Sequence, residues 1–349
     1  MIDNIVNLSQ QLIAIKSANT CLNLILSKLG RFTIERFEKN GVKSALIYNT
    51  IKRPKKFKII LNGHLDIIPG KERQYTPQIK KGRLYGVGAM DMKSNIVCMM
   101  LAFKKVANIV KYPLALQLVT DEEIGGFNGT KYQIDKGVRT NFVIAGETTE
   151  LNIVNKSKGV LWLKISALGV TAHSAYPWKG KNAVWKMKKF LSLLEKKFPI
   201  PKKQKWITTV NLSNIKTNNL TFNKIPDNCE VWLDVRYIPE QEKTILREIK
   251  KLLPPEFKVQ VIEKEPPLFV AENNQYIKKL QEITTQTLKK RTILYGSQGS
   301  SDARHYTRVN CNGIEFGPIG KGIGSDNEWV DIPSLKTYTN ILIKFLLSL

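Results

Sequence analysis

Three short apolar runs, FKIIL (57–61), LALQLV (114–119) and FVIA (142–145), constrain what this chain can fold into more than any other feature. None alternates with polar residues, so each suits a strand covered on both faces, as strands of a parallel sheet are. An apolar stretch of helical length, SNIVCMMLAFKKVAN (94–108), lies between the first two, and a second helix fits near 127–136. Strand, helix, strand, helix, strand is the order of a parallel α/β layer with right-handed crossovers. Ligands bind such a sheet where the carboxyl ends of its strands give way to loops.

That edge is where the acids fall. FKIIL runs on into NGHLD, placing His64 and, two residues later, Asp66 at the strand end. A carboxylate at that spacing can accept the second N–H of the imidazole and fix its tautomer. LALQLV runs into Asp121, Glu122 and Glu123, and FVIA into Glu147, with Glu150 nearby. Asp91 stands in GAMDMK, just before the first helix, where an N-cap is the plain alternative to a ligand. Adjacent like charges at a buried edge require cations or protons to neutralise them. Strand ends converging on His, Asp, Glu and Glu can build a site for two divalent ions.

The pattern changes after residue 158. VLWLKISAL (160–168), WITTVNLSNI (206–215) and CEVWLDVRY (229–237) alternate apolar and polar residues, as half-exposed antiparallel strands do. Helices are expected at 180–197 and 239–253, the latter with Ile245, Leu246, Ile249, Leu252 and Leu253 on one face. Beyond KEPPLF (264–269) the earlier character returns, with helices at 273–288 and 334–347. The expectation is an α/β domain with a mostly parallel sheet (1–158 and 267–349), interrupted by a smaller α+β domain with an antiparallel sheet (159–266).

In order and spacing, GHLDIIP, LYGVGAMDMKS, TDEEIGG, AGE and GVTAHSAYP resemble the dinuclear-zinc peptidase and deacylase family, which includes succinyl-diaminopimelate desuccinylase, acetylornithine deacetylase, aminoacylase and carboxypeptidase G. The likeness covers nearly the whole chain and implies a zinc-exopeptidase-like fold with a lid and dimerisation domain. It implies that His64 and Glu147 bind one zinc, Glu123 the other, and Asp91 both, with cobalt or manganese as alternatives. Asp66 would orient His64, and Glu122 would be the general base. His173 would reach across a homodimer to stabilise the oxyanion. Asn223 and Arg236 of the lid, and Ser300, Ser301 and Arg304 of GSSDARHY, would contact substrate. His305 reads as structural. A cytoplasmic amidohydrolase of amino-acid biosynthesis, acting on an anionic N-acyl amino acid or a dipeptide, is what this resemblance implies.

One position departs. Members of that family usually close the second zinc site with a histidine four residues before the glutamate of a segment like NEWV; here that place is Gly324, and the chain has only three histidines. Three readings stay open: Asp326 or Ser325 takes the role, the second ion binds weakly, or catalysis is lost and a binding or regulatory protein remains.

Composition excludes more than it assigns. No run approaches the ~20 apolar residues of a membrane span, and the N-terminal segment reads as an amphipathic helix without the basic and small-residue marks of a signal peptide. Cys21, Cys98, Cys229 and Cys311 lie far apart, which argues for buried free thiols over a thiolate zinc site or disulfides. The net charge of +26 comes from lysines spread along the whole chain with no nucleic-acid-binding module, so a solvated basic surface that draws anionic substrates is expected, not a nucleic-acid partner.

Overall fold

The computed structural model describes residues 2–349, and the three apolar runs are its central parallel strands. Phe57–His64 lies between Leu114–Val119 and Thr140–Ala145, and Asn312–Glu315 continues the parallel set beyond Thr140–Ala145. Two antiparallel strands, Thr33–Lys39 and Val42–Tyr48, extend one side; Ile153–Ser157 and Leu268–Phe269 extend the other. Every residue of Leu114–Val119 is buried, including Gln117, whose amide pairs with the side chains of Asn62, Gln133 and Tyr306. Helices Ile2–Ala14, Ser94–Val106 and Ile332–Leu347 share one apolar core with this sheet. Their approach is close. A methyl group on Gly63 or Gly146 would lie 2.6–2.9 Å from the side chains of Met92, Ile96 or Met99, so glycine at both strand ends lets the Ser94–Val106 helix seat against the sheet.

The chain divides into two compact units. The first runs to Lys156 and resumes with Leu268–Ser297 and Ser301–Leu349; the second comprises Ser157–Pro267 and Gln298–Ser300. In the second, Thr209–Lys216, Asn228–Tyr237, Gly159–Leu168 and Lys258–Glu265 form an antiparallel sheet in that order. Burial along Asn228–Tyr237 alternates residue by residue, and the inward side chains pack with Ala183, Met187, Phe190 and Leu194 of the Ala183–Lys197 helix. Each unit has its own core, so the change of period near residue 158 marks a change of packing environment as well as of strand direction.

Several elements differ in extent from the sequence reading. The Phe57 strand reaches His64, three residues beyond the apolar run, because it continues to pair with Val119. The expected helix at 239–253 is a turn at Pro239–Gln241 followed by Ile245–Lys250, and the one near 127–136 is Thr130–Asp135. The 206–215 segment enters its strand only at Thr209. A small sheet of Gln78–Lys80, Arg83–Tyr85, Trp329–Asp331 and Gly320–Lys321 carries the two loops that flank Asp91. Among the described residues no helix is long and apolar enough to cross a membrane, and all four cysteines are buried and free.

Candidate metal centre

Register brings the strand-end groups together. His64 pairs level with Val119, so the next residues of that neighbouring strand are Thr120 and the three acids; Asn62 pairs with Ala145, which puts Glu147 level with His64 on the other side. Asp91 comes from an irregular turn that precedes the Ser94–Val106 helix, with Gly88 in the left-handed region (φ 74°). It is no N-cap of that helix.

His64 is buried, with Nε2 3.0 Å from Asp91 Oδ1 and 3.9 Å from Glu147 Oε1. Its Nδ1 lies 3.1 Å from the main-chain carbonyl of Asp66 and 3.5 Å from the Asp66 carboxylate. The other Asp66 oxygen accepts the amide of Glu123 at 2.9 Å, so Asp66 ties two of the strand ends to each other. Donor atoms of His64, Asp91 and Glu123 all lie within 4.8 Å of one another.

The electrostatics are those of several buried carboxylates around one imidazole. Burial pushes Glu123 up to about 7, with the Asp91 carboxylate adding to the shift. Burial likewise lifts Glu122 to about 8 and Glu147 well above the carboxylate range, Asp302 and Asp91 respectively adding to the effect. Burial works against charge on His64, yet Asp66 and Asp91 outweigh it and hold the imidazole well above its usual range. One imidazole and several close carboxylates form a mixed nitrogen and oxygen set that suits zinc, manganese or cobalt, and a divalent cation would offset the burial and the repulsion that raise these acids. The residues present therefore fit a metal.

Around this set the other expected groups fall unevenly. Glu122 is largely buried, 3.8 Å from the Arg304 guanidinium, and Arg304 also donates to the Gly125 carbonyl at 2.7 Å. Arg304 is thus buried against the acid cluster. Ser301 is buried beside Glu315, which burial lifts to about 7 despite the pull of that hydroxyl; Ser300 belongs to the second unit. His305 packs on the Phe127 ring and contacts the Gly125 carbonyl at 2.9 Å, and burial holds it well below its usual range, in keeping with a structural part. Asp121 accepts the amides of Asn128 and Gly129, which builds the turn that aims its two neighbours. Glu150 is exposed in a left-handed turn (φ 55°). In the second unit, His173 Nδ1 accepts the amide of Ala175, Asn223 is exposed, and Arg236 pairs with Asp234 at 2.9 Å.

Gly324 has φ 64° and stands beside a cavity of about 330 Å³ lined by Ile68, Pro69, Lys71, Gln74, Asp326 and Glu328 among others. The two side chains considered as replacements are engaged elsewhere. Asp326 pairs with Lys71 and with Arg73, and Ser325 Oγ accepts the amide of Asn327 within its own loop. Sequence reasoning used Glu328 only as a landmark; the structure buries it against the Asp91 turn, where its carboxylate accepts amides from Gly88, Met90 and Asp91. Only the apolar Trp329 and Val330 that follow it hinted at a buried acid.

Against known proteins, the sequence model of peptidase family M20/M25/M40 matches residues 60–348. A succinyl-diaminopimelate desuccinylase of Pelagibacter ubique (strain HTCC1062) is 28% identical over 312 residues, 81% of this chain and 80% of that protein. Aminopeptidase PepT from Bacillus cereus superposes with a TM-score of 0.82 at 17% identity, covering 99% of this chain and 98% of that one. A dinuclear metal-binding peptidase from Bacillus subtilis does so with a TM-score of 0.71 at 13% identity, over 99% and 98% of the two chains. At such identities the structural likeness speaks for the fold. The non-catalytic alternative gains no support from these comparisons.

Proposed function

The chain belongs to peptidase family M20/M25/M40, hydrolases acting on amide bonds, and from that premise we propose that it is a metal-dependent amidohydrolase of an N-acyl amino acid, of the succinyl-diaminopimelate or acetylornithine type, or of a short peptide. In this reading His64 and Glu147 would hold one ion and Glu123 the other, with Asp91 serving both; zinc would be the ion of choice, with cobalt or manganese as substitutes. Divalent ions there would supply Lewis acidity, which acidifies a water and polarises an amide carbonyl.

The chain's own residues do the rest. Asp66, through its carbonyl and carboxylate, keeps His64 presenting Nε2 to Asp91. Glu122 takes a proton from the attacking water and returns it to the leaving nitrogen, the dual duty of a general acid–base carboxylate. Burial lifts the Glu122 carboxyl to about 8, which suits a group that accepts and releases protons near neutrality. Arg304 holds Glu122 in place and, with Ser300 and Ser301, meets the acyl or carboxylate end of the substrate. Residues 159–266 act as lid and homodimer contact, supplying His173 for the oxyanion and Asn223 and Arg236 for the substrate, while 1–158 and 267–349 form the catalytic domain. The excess of positive charge suits an anionic substrate in the cytoplasm. Gly324, offering no side chain, leaves the second ion the weaker one.

The convergence of His64, Asp91 and Glu123 at the carboxyl edge of the parallel strands is the observation that carries this reading. Protein reloaded with Zn²⁺ or Mn²⁺ is expected to hydrolyse at least one member of a panel of N-succinyl and N-acetyl amino acids and dipeptides, and a chelator to abolish that turnover. Chelator-resistant turnover, or none across the panel with metal bound, would sink it.

A further inference from the structure

Glu328 is 4% exposed, and it is not one of the metal donors. Its Oε1 accepts the amides of Met90 at 2.9 Å and Asp91 at 3.3 Å, its Oε2 accepts that of Gly88 at 3.1 Å, and its own carbonyl accepts that of Gly86 at 3.2 Å. Four amides of one short turn therefore end on a single residue from the far end of the chain. The turn needs such a partner. Asp91 (φ −129°, ψ 91°) and Met92 (φ −134°, ψ 35°) are outside the helical region, so no regular ladder satisfies the buried amides here. The opposite face of the turn is held as well: Met90's carbonyl accepts the Thr148 hydroxyl at 2.7 Å and the Asn95 amide at 3.1 Å, and the buried Lys93 ammonium donates to the carbonyls of Leu12 and Ile15 at 2.9 and 2.8 Å. Glu328 is the contact that reaches the amide of Asp91 itself.

We propose that Glu328 is a positioning residue for Asp91: by gripping the Met90 and Asp91 amides it sets the rotation of that peptide, and with it the direction in which the Asp91 carboxylate meets the ions. This rests on the metal reading of the site. A carboxylate is required because both of its oxygens face N–H donors; glutamine would keep one acceptor and set an N–H against the other donors.

The test is metal affinity, measured by competition between stripped protein and a chelator for Zn²⁺, together with the visible spectrum of the Co²⁺ form. Glu328→Gln is expected to weaken binding roughly 10- to 100-fold, as loss of a residue that orients a metal ligand does, and to alter the Co²⁺ bands. Glu328→Asp, which keeps the charge but draws it back by one methylene, is expected to fall between, and it carries the test alone if the glutamine variant does not fold. Tyr112→Phe, which deletes a hydroxyl bond to the Leu346 carbonyl, serves as the structural control and is expected to lower Tm while leaving affinity and spectrum unchanged. Wild-type affinity and spectrum in both Glu328 variants would overturn the role of Glu328 alone. A wild-type protein that holds no divalent ion would overturn the metal reading with it.

Discussion

The Asp121–Glu123 strand end supplies the acid cluster and the Gly322–Asn327 loop leads into Glu328 on the Asp91 turn, and the fold treats them differently. At the first, a fully buried strand runs straight into the acids, Asp121 ties the following turn to its own carboxylate, and the Glu123 amide ends on Asp66. At the second, most residues are exposed, Gly324 is left-handed, and Asp326 is drawn to Lys71 and Arg73. A side chain at a buried strand end has its direction dictated by register. A side chain on an exposed loop goes to whichever partner attracts it most, and here two nearby cations hold Asp326 at the surface.

The largest effect should come from the dictated side. Glu122→Gln keeps size and place but removes the proton acceptor, so kcat is expected to fall roughly 10²- to 10⁴-fold with the metal content unchanged. A glutamine variant as active as wild type would mean that register has delivered Glu122 to the wrong task.

Next comes removal of metal. Glu123 ionises near 4.5 when unfolded but at about 7 in the fold, and Glu122 at about 8. Between those values the folded chain binds protons that the unfolded chain has released, so this contribution favours stripped protein at low pH and is lost as pH rises from about 4.5 toward 8. His64, held above its ordinary value, acts in the same sense, its contribution fading as pH climbs through that raised value. The gain in Tm on adding Zn²⁺ should therefore be larger at pH 8 than at pH 5; a hundredfold excess over Kd is worth about 2.7 kcal/mol. A gain independent of pH would mean that the buried acids are not the metal's ligands.

Gly324→His addresses the loop. At φ 64° a residue with a β-carbon costs about 1 kcal/mol, while that carbon would meet Ile68 at an ordinary 3.4 Å. A slightly lower Tm with tighter binding of the second ion is expected, measured by calorimetric titration. Two tightly bound ions in wild type, with no change in the variant, would show that the loop never mattered.

The same contrast explains what the sequence made legible. FKIIL, LALQLV and FVIA are readable because a strand buried on both faces leaves no choice of residue type, and once they pair in parallel His64 and Glu147 must stand level. The hairpin of Thr33–Lys39 and Val42–Tyr48 is marked in the sequence only by its Asn40-Gly41 turn, both residues at positive φ; its first strand carries charges and is largely half-exposed, so it has no apolar pattern. Glu328 and Asp326 were illegible for another reason. Their partners lie some 240 to 255 residues away, at Gly88 and Lys71, and nothing local in a sequence encodes a pairing at that separation.

Asp326→Ala is expected to do least, and it probes the contrast most directly. The carboxylate is exposed and its neighbours Lys71 and Arg73 are more so, so a pair of this kind is screened by solvent and adds little to stability. Those two cations hold the carboxyl below its ordinary value, which keeps it charged and paired throughout the pH range in which the cluster titrates. If it stays there, removing it should leave Tm, Zn²⁺ stoichiometry and affinity as they were, and freeing it by Lys71→Ala and Arg73→Ala together should not add a ligand. A loss of the second ion in Asp326→Ala would show that this carboxylate leaves its surface pairs for the metal, and the loop would then share the role now given to the strand ends alone.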